Sequence, residues 1–239
     1  MQWEDEAIIL SARPHAESAL IVQLLTKARG RHGGLVRGGQ RARGRGAYEL
    51  GNRVLAHWQA RLPEHLGILR CELVRGCAAG LIDDPRRLAC LAAACALAEA
   101  ALPEREPAPG SFAGLAVLLD ALAANADWAA RYVVWELGLL AELGFGLDLA
   151  RCAATGSAED LVFVSPKSAQ AVSRAAGAPY REKLLPLPRF LRASAAEASA
   201  ADILDGLRLT GFFLERHLFA PLGRSLPAAR ARFVDRMAR

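Results

Sequence analysis

The chain has no Cys-x-x-Cys pair, no His-Glu-x-x-His and no Gly-x-Ser-x-Gly. Its five cysteines, Cys71, Cys77, Cys90, Cys95 and Cys152, are odd in number. That excludes a complete disulfide framework and a zinc ribbon. Cys90 and Cys95 are five apart on an expected helix, roughly 140° from each other around its axis, so they cannot chelate one ion from one face. Buried thiols are the expectation. The five histidines (His15, His32, His57, His65, His217) have no spaced acidic partner that would make them general bases. No catalytic residue and no cofactor or metal is expected. The chain also lacks any uncharged apolar run of about 18 residues, the length that crosses a bilayer; "CLAAACALAEAAL" comes nearest and is broken by Glu99. Its N-terminus, Met-Gln-Trp-Glu-Asp-Glu, has neither the basic region nor the apolar region of a secretory signal. No membrane association and a cytoplasmic location are therefore expected.

A further absence is more informative. No acid occurs between Glu17 and Glu49, while Lys27, Arg29, Arg31, Arg37, Arg41, Arg43 and Arg45 supply seven cations. Up to Gly80 there are 12 Lys/Arg against 7 Asp/Glu; from Leu81 onward there are 18 of each. The whole positive excess thus lies in the first third. A field of one sign points to a polyanionic partner, whereas solvated surfaces usually mix both signs. The densest part is "VRGGQRARGRG", Val36 to Gly46. It is not a phosphate-binding loop, because Arg45 and Gly46 stand where that loop needs Lys and Ser/Thr. Its Gly-Gly-Gln match to a peptide-release loop stops at three residues, and an RGG box would need repetition. What remains is a cationic loop. Its glycines let the backbone approach a polyanion, and its arginines grip phosphates and stack on bases. Tyr48, beside the loop, suits either a stacking platform or core; Trp58, in an alternating strand, suits core.

Five short runs, "EAIILSARP", "SALIVQLLTKA", "HGGLVRGG", "GNRVLAHWQARL" and "GILRCELVRG", are separated by Gly- or Pro-containing turns and read as the strands of a small barrel. Their number and length fit the oligonucleotide-binding (OB) architecture, though other small barrels share the count. The texture turns helical at Asp84-Pro85, an N-cap and N1 pair. Further helices are expected after Ser111, after Asp127 (stripe Trp128, Tyr132, Trp135, Leu139, Leu143, ended by Gly144), from Ser165-Pro166 to Gly177, and from Asp202 to before Pro221. The expected fold class is α+β and multidomain, with a five-stranded OB-fold barrel over residues 1–80 followed by an α-helical domain over 81–239. The latter carries an irregular excursion at about 145–166. Late in it, apolar residues and arginines intermix (Arg189, Phe190, Arg192, Arg208, Phe212, Arg216), as in a groove for an acidic-hydrophobic peptide; an ordinary core with solvated arginines is the alternative.

Three blocks in order carry a resemblance. "EAIILSARPHAESALIVQLLTKARGRHGGLVRGGQRARGR" (6–45) resembles the N-terminus of the bacterial RecO (recombination protein O) family of DNA repair proteins. "LDLARCAATGSAEDLVFVSPKSAQAVSRAAGAPYREKLLPLPRFL" resembles its central segment in an alphaproteobacterial variety, and "LRLTGFFLERHLFAPLGRSLPAARAR" its C-terminal helix and tail. The resemblance implies an OB-fold, a helical C-terminal domain and a non-enzymatic mediator of homologous recombination, associated with the nucleoid. Such a mediator binds single- and double-stranded DNA, anneals complementary strands and helps load RecA. Its implied partners are RecR and the acidic tail of single-stranded DNA-binding protein. The DNA-binding residues expected from the acid-free stretch and its neighbouring aromatic are Lys27, Arg29, Arg31, Arg37, Arg41, Arg43, Arg45 and Tyr48; the late Phe/Arg set would take the tail. Some family members hold zinc on four cysteines in the central segment. This chain keeps only Cys152 there and has Ser165 and Ser168 where a later pair would fall, so the excursion is expected to be metal-free and held by apolar packing. A protein-interaction adaptor and an RNA-binding barrel remain alternatives.

Overall fold

The computed structural model describes residues 1–39, 46–192 and 197–239. They form two compact units, Met1–Ala126 with Pro227–Phe233, and Asp127–Leu226 with Val234–Arg239.

In the first unit all five expected strands form: β1 (Gln2–His15), β2 (Ala19–Thr26), β3 (Gly30–Val36), β4 (Arg53–Gln59) and β5 (Ile68–Arg75). They close into a barrel in the order β1-β2-β3-β5-β4, with the helical region following, so the fold class is as expected. β1 starts four residues earlier than the apolar run suggested. Gln2–Ile8 pair with β4 and Ala7–His15 with β2, and the β1–β2 register shifts between Ile9 and Ser11. Ala7 and Ile9 face the barrel core, while Ile8 and Leu10 are buried on the opposite face of the strand, where the helical region that follows packs on it. Alternation elsewhere aims Val22, Leu24, Val54, Ala56, Trp58 and Leu69 into the barrel.

The closure is slender, because β3 meets β5 through one parallel pair, Leu35 and Ile68. Alongside, the first residues of β3 take up the segment after the first helix. Arg31 bridges Glu104 in parallel, and the Arg105 amide donates to the Arg31 carbonyl at 2.8 Å. Gly30, at φ 68°, makes this possible: a Cβ there would lie 1.7 Å from the Glu106 carbonyl oxygen.

Helix α1 (Pro85–Ala101) starts as the sequence indicated, with the Asp84 carboxylate accepting from the Arg86 and Arg87 amides at 3.0 and 3.1 Å. Helix α2 (Pro109–Ala124) begins earlier than expected; Pro109 sets its first turn, and Ser111 is a buried residue inside the helix rather than its cap.

In the second unit, α3 (Trp128–Glu142) buries Tyr132, Trp135 and Leu139. Asp127 precedes it but does not cap it: at φ 49° it is left-handed, whereas a capping side chain needs the extended region. Segment 165–177 is not one helix. Ser165 opens a turn closed by the Ala169 amide at 2.9 Å, and Ala171–Ser173 is a strand, β7. It pairs with β6 (Leu161–Val164), which also pairs with β8 (Leu185–Pro186). Only Arg174–Gly177 is helical (α4). Ser199 rather than Asp202 caps α5 (Ala200–Leu214): its hydroxyl accepts from the Asp202 amide, and the Asp202 carboxylate accepts from the Ser199 amide. The helix then widens into a π turn over Glu215–Phe219, which stacks His217 on Phe145 at 4.9 Å. A last helix, α6, spans Ala228–Met237. No helix among the described residues is long and apolar enough to cross a membrane.

Replacing Gly30 by Ala combines a left-handed φ with a backbone clash and is expected to cost about 2 kcal/mol or more. Gly38→Ala shares a left-handed φ of 69° but meets nothing within 4 Å, and is expected to cost only about 1 kcal/mol. Urea unfolding midpoints of the two variants check the difference.

Candidate nucleic-acid interface

The acid-free stretch is not unpaired once folded, because acids arrive from other strands and loops. The Lys27 ammonium lies 3.0 Å from the Glu6 carboxylate. Arg31 is tied most firmly: it donates to the Leu102 carbonyl at 2.8 Å, to Gln23 at 3.2 Å and to Glu104 at 3.1 Å, with its side chain 16% exposed. Its bonds therefore secure the 102–106 segment against β3. Two cations expected at the interface do stand clear of any carboxylate among the described residues. Arg29 is exposed in the β2–β3 turn, and Arg37 is exposed just beyond the other end of β3. Seven β-residues separate these ends by roughly 20 Å. Arg41, Arg43 and Arg45 lie outside the described residues.

Tyr48 is 9% exposed and packs with the barrel core, so its ring is not presented as a platform. The residue that sequence reading missed is Trp3. Its ring stacks on Trp58 (centroids 5.5 Å, planes 14° apart), and the Arg29 guanidinium lies over it at 5.5 Å. The alternation Trp3, Asp5, Ala7, Ile9 was the available signal, hidden by the charged residues between. His32 completes the cluster, 5.0 Å from Trp3 and 5.9 Å from Trp58. It is buried with Nδ1 unpartnered. Burial first, then the charges of Arg105, Arg29 and Arg31, outweigh Glu104 and bring its pKa down to about 4, so the ring is neutral at neutral pH.

The loop base is fixed by Asn52, which is 1% exposed. Its amide donates to the Gly46 carbonyl at 2.7 Å, and its oxygen accepts from the Cys77 amide at 2.9 Å. The basic loop therefore leaves β3 at Arg37 and re-enters at a firmly bonded point.

In the second unit, Arg189 and Arg192 border a cavity of about 600 Å³ with an apolar floor of Val162, Phe163, Leu187 and Pro188. Arg174 and Arg181, absent from the sequence-based set, line it too. Phe190 packs over Gly206 of α5. The Asp202 carboxylate on the rim is engaged by Ser199 and Arg189. Arg208, Phe212 and Arg216 do not line this cavity. They follow one another along α5 and the π turn, where Arg208 pairs with Asp205 at 3.6 Å and Arg216 donates to the Pro166 carbonyl while lying over Phe212.

A zinc ion does not fit the Cys152 environment. Ser165 and Ser168 bond to each other's turn, while Ser173 is the residue that reaches Cys152. Its amide donates to the sulfur at 3.3 Å and its hydroxyl lies 3.5 Å away. Burial raises the thiol pKa, but bonds from the Thr155 and Ser173 hydroxyls and the Ser173 and Ala154 amides outweigh it and bring it down to about 6. Neutral hydroxyls do not replace thiolates on zinc. Hydrogen bonds around the sulfur, and not apolar packing alone, therefore hold this excursion.

Family models describing the recombination protein O N terminus and C terminus match residues 1–77 and 82–226. The chain belongs to the RecO family. It is 56% identical over 238 residues to the DNA repair protein RecO of Rhodospirillum centenum, covering 99% of this chain and 94% of that one. It is 53% identical over 245 residues to that of Rhodospirillum rubrum, covering 100% and 97%. With RecO of Caulobacter vibrioides it shares 48% over 238 residues, covering 100% and 98%.

His32 gives the barrel unit an acid dependence whose sign is fixed. Its folded pKa of about 4 lies below the ordinary 6.5, so the unfolded chain takes up the proton first. The contribution is complete above about pH 6.5 and is lost as pH falls towards 4, up to roughly 3 kcal/mol. Urea unfolding of wild type and His32→Phe between these pH values should show a steeper slope in the wild type than in the variant.

Proposed function

We propose that this RecO-family chain is a non-catalytic recombination mediator. It binds single- and double-stranded DNA, anneals complementary strands, and with RecR helps load RecA onto single strands covered by single-stranded DNA-binding protein. Residues 1–80 act as the DNA-binding part and 81–239 carry the partner surface. The observation that carries this reading is the pair of unneutralised arginines, Arg29 and Arg37, at the two ends of β3, with the Arg41/Arg43/Arg45 loop following the second. Cations on one barrel lower the repulsion between two phosphate backbones, so annealing needs no bond chemistry.

Each single-strand phosphate neutralised adds about 0.7 to the slope of log affinity against log salt. Replacing Arg37, Arg41, Arg43 and Arg45 together by Ala should therefore weaken binding and flatten the slope by up to about 3. An unchanged slope removes the loop from the interface. Absence of any nucleic-acid binding in the wild type favours an adaptor that docks an acidic protein.

The acidic, hydrophobic tail of single-stranded DNA-binding protein suits the Arg-bordered cavity of the second unit. Its apolar floor would take the hydrophobic end and Arg181, Arg189 and Arg192 the carboxylates. An Arg181→Ala/Arg189→Ala variant should bind a labelled tail peptide at least about tenfold more weakly, with DNA affinity unchanged. Fluorescence anisotropy with each ligand reads both.

A further inference from the structure

The Trp58–Trp3–Arg29 stack runs from the barrel interior to its surface. Trp58 is 3% exposed and its indole N–H is already shared between the Gly33 and Leu66 carbonyls, so it is the fixed inner rung. Trp3 is half-buried and Arg29 exposed. We propose that the Trp3–Arg29 end of this stack is a stacking site for one unpaired base of single-stranded DNA. This rests on the DNA-binding reading above and deepens it.

Two observations favour that occupant. First, Arg29 has no carboxylate partner among the described residues, so its guanidinium can cover a base without giving up an ion pair. Planar guanidinium and indole faces both stack on bases, irrespective of which base it is. Second, the turn that carries Arg29 is held from several sides. The Lys27 amide donates to the Glu6 carbonyl at 2.9 Å, the Ala28 amide to the Asp5 carboxylate at 2.9 Å, and the Arg29 amide to the Thr26 hydroxyl at 2.9 Å. The Thr26 hydroxyl in turn donates to the Gly30 carbonyl at 3.0 Å. A platform fixed in this way loses little freedom on binding. The bases of a duplex are already stacked on each other, so this site distinguishes single strands from double strands, which the phosphate contacts of the basic loop do not.

The test compares a thymidine oligonucleotide with an abasic sugar–phosphate chain of the same length and salt dependence. Wild type should prefer the thymidine chain on the order of tenfold, and binding should quench tryptophan fluorescence. Trp3→Leu should abolish the preference, and Trp3→Phe should keep most of it. Arg29→Lys, on an exposed side chain that does not disturb folding, should reduce the preference while leaving the salt slope unchanged, because the charge is kept and the plane is lost. Duplex affinity should be the same in wild type and the two Trp3 variants. Equal binding of both chains by wild type, or a preference that survives in Trp3→Leu and Arg29→Lys, overturns the stacking site and leaves the DNA-binding reading standing. Failure to bind either chain overturns both. Tighter binding of the matching RNA chain overturns the assignment to DNA.

Discussion

The indole N–H of Trp58 lies between the Gly33 carbonyl at 3.2 Å and the Leu66 carbonyl at 2.9 Å. That shared bond joins the middle of β3 to the segment entering β5, at the place where the barrel has only the Leu35–Ile68 pair to close it. The approach is so close that a Cβ on Gly67, at φ 72°, would fall 2.4 Å from the indole ring. A buried donor left without its acceptors costs about 1–3 kcal/mol, so the ring, the two carbonyls and the glycine stand or fall together. Trp3 and His32 take their positions from that ring, and Arg29 takes its position from Trp3.

Charge follows from the same closure. β1 lies beside both β2 and β4, which puts Glu6 against Lys27. The 102–106 segment lies on β3, which puts Glu104 and the Leu102 carbonyl on Arg31. Asp120 of α2 holds Arg53 and Arg75 at once, and Glu99 of α1 holds Arg13. Exposed pairs of this kind contribute little stability. Their consequence is selection, since they decide which arginines remain available to a polyanion.

The second unit uses polar contacts in a comparable way. Around Cys152, the hydroxyl and the amide of Ser173 both bond to one sulfur. The three-stranded sheet β7-β6-β8 is built on that turn. Its strand β8 leads to Leu187 and Pro188, the floor beneath the arginine-bordered cavity. The rim of that cavity is fixed by the Ser199–Asp202 capping box and the bond that Arg189 donates to the Asp202 carboxylate.

The five strands, the stripe of α3, the Asp84 cap and the stop at Gly144 could be read from the chain because each depends on residues a few positions apart. A period of two, a period of 3.6 and a cap are local quantities. The confinement of excess positive charge to the first 80 residues is likewise a property of sequence alone, as are the three blocks that mark the family. Local rules failed where the backbone took an uncommon course: the left-handed Asp127 and the strand at Ala171–Ser173. Tertiary structure alone decided which cations are free, that Tyr48 is core, and that Trp3 leads from Trp58 to the surface. These outcomes depend on partners up to 86 positions apart, as Arg13 and Glu99 are. No spacing within one segment records them, because they exist only once the barrel closes.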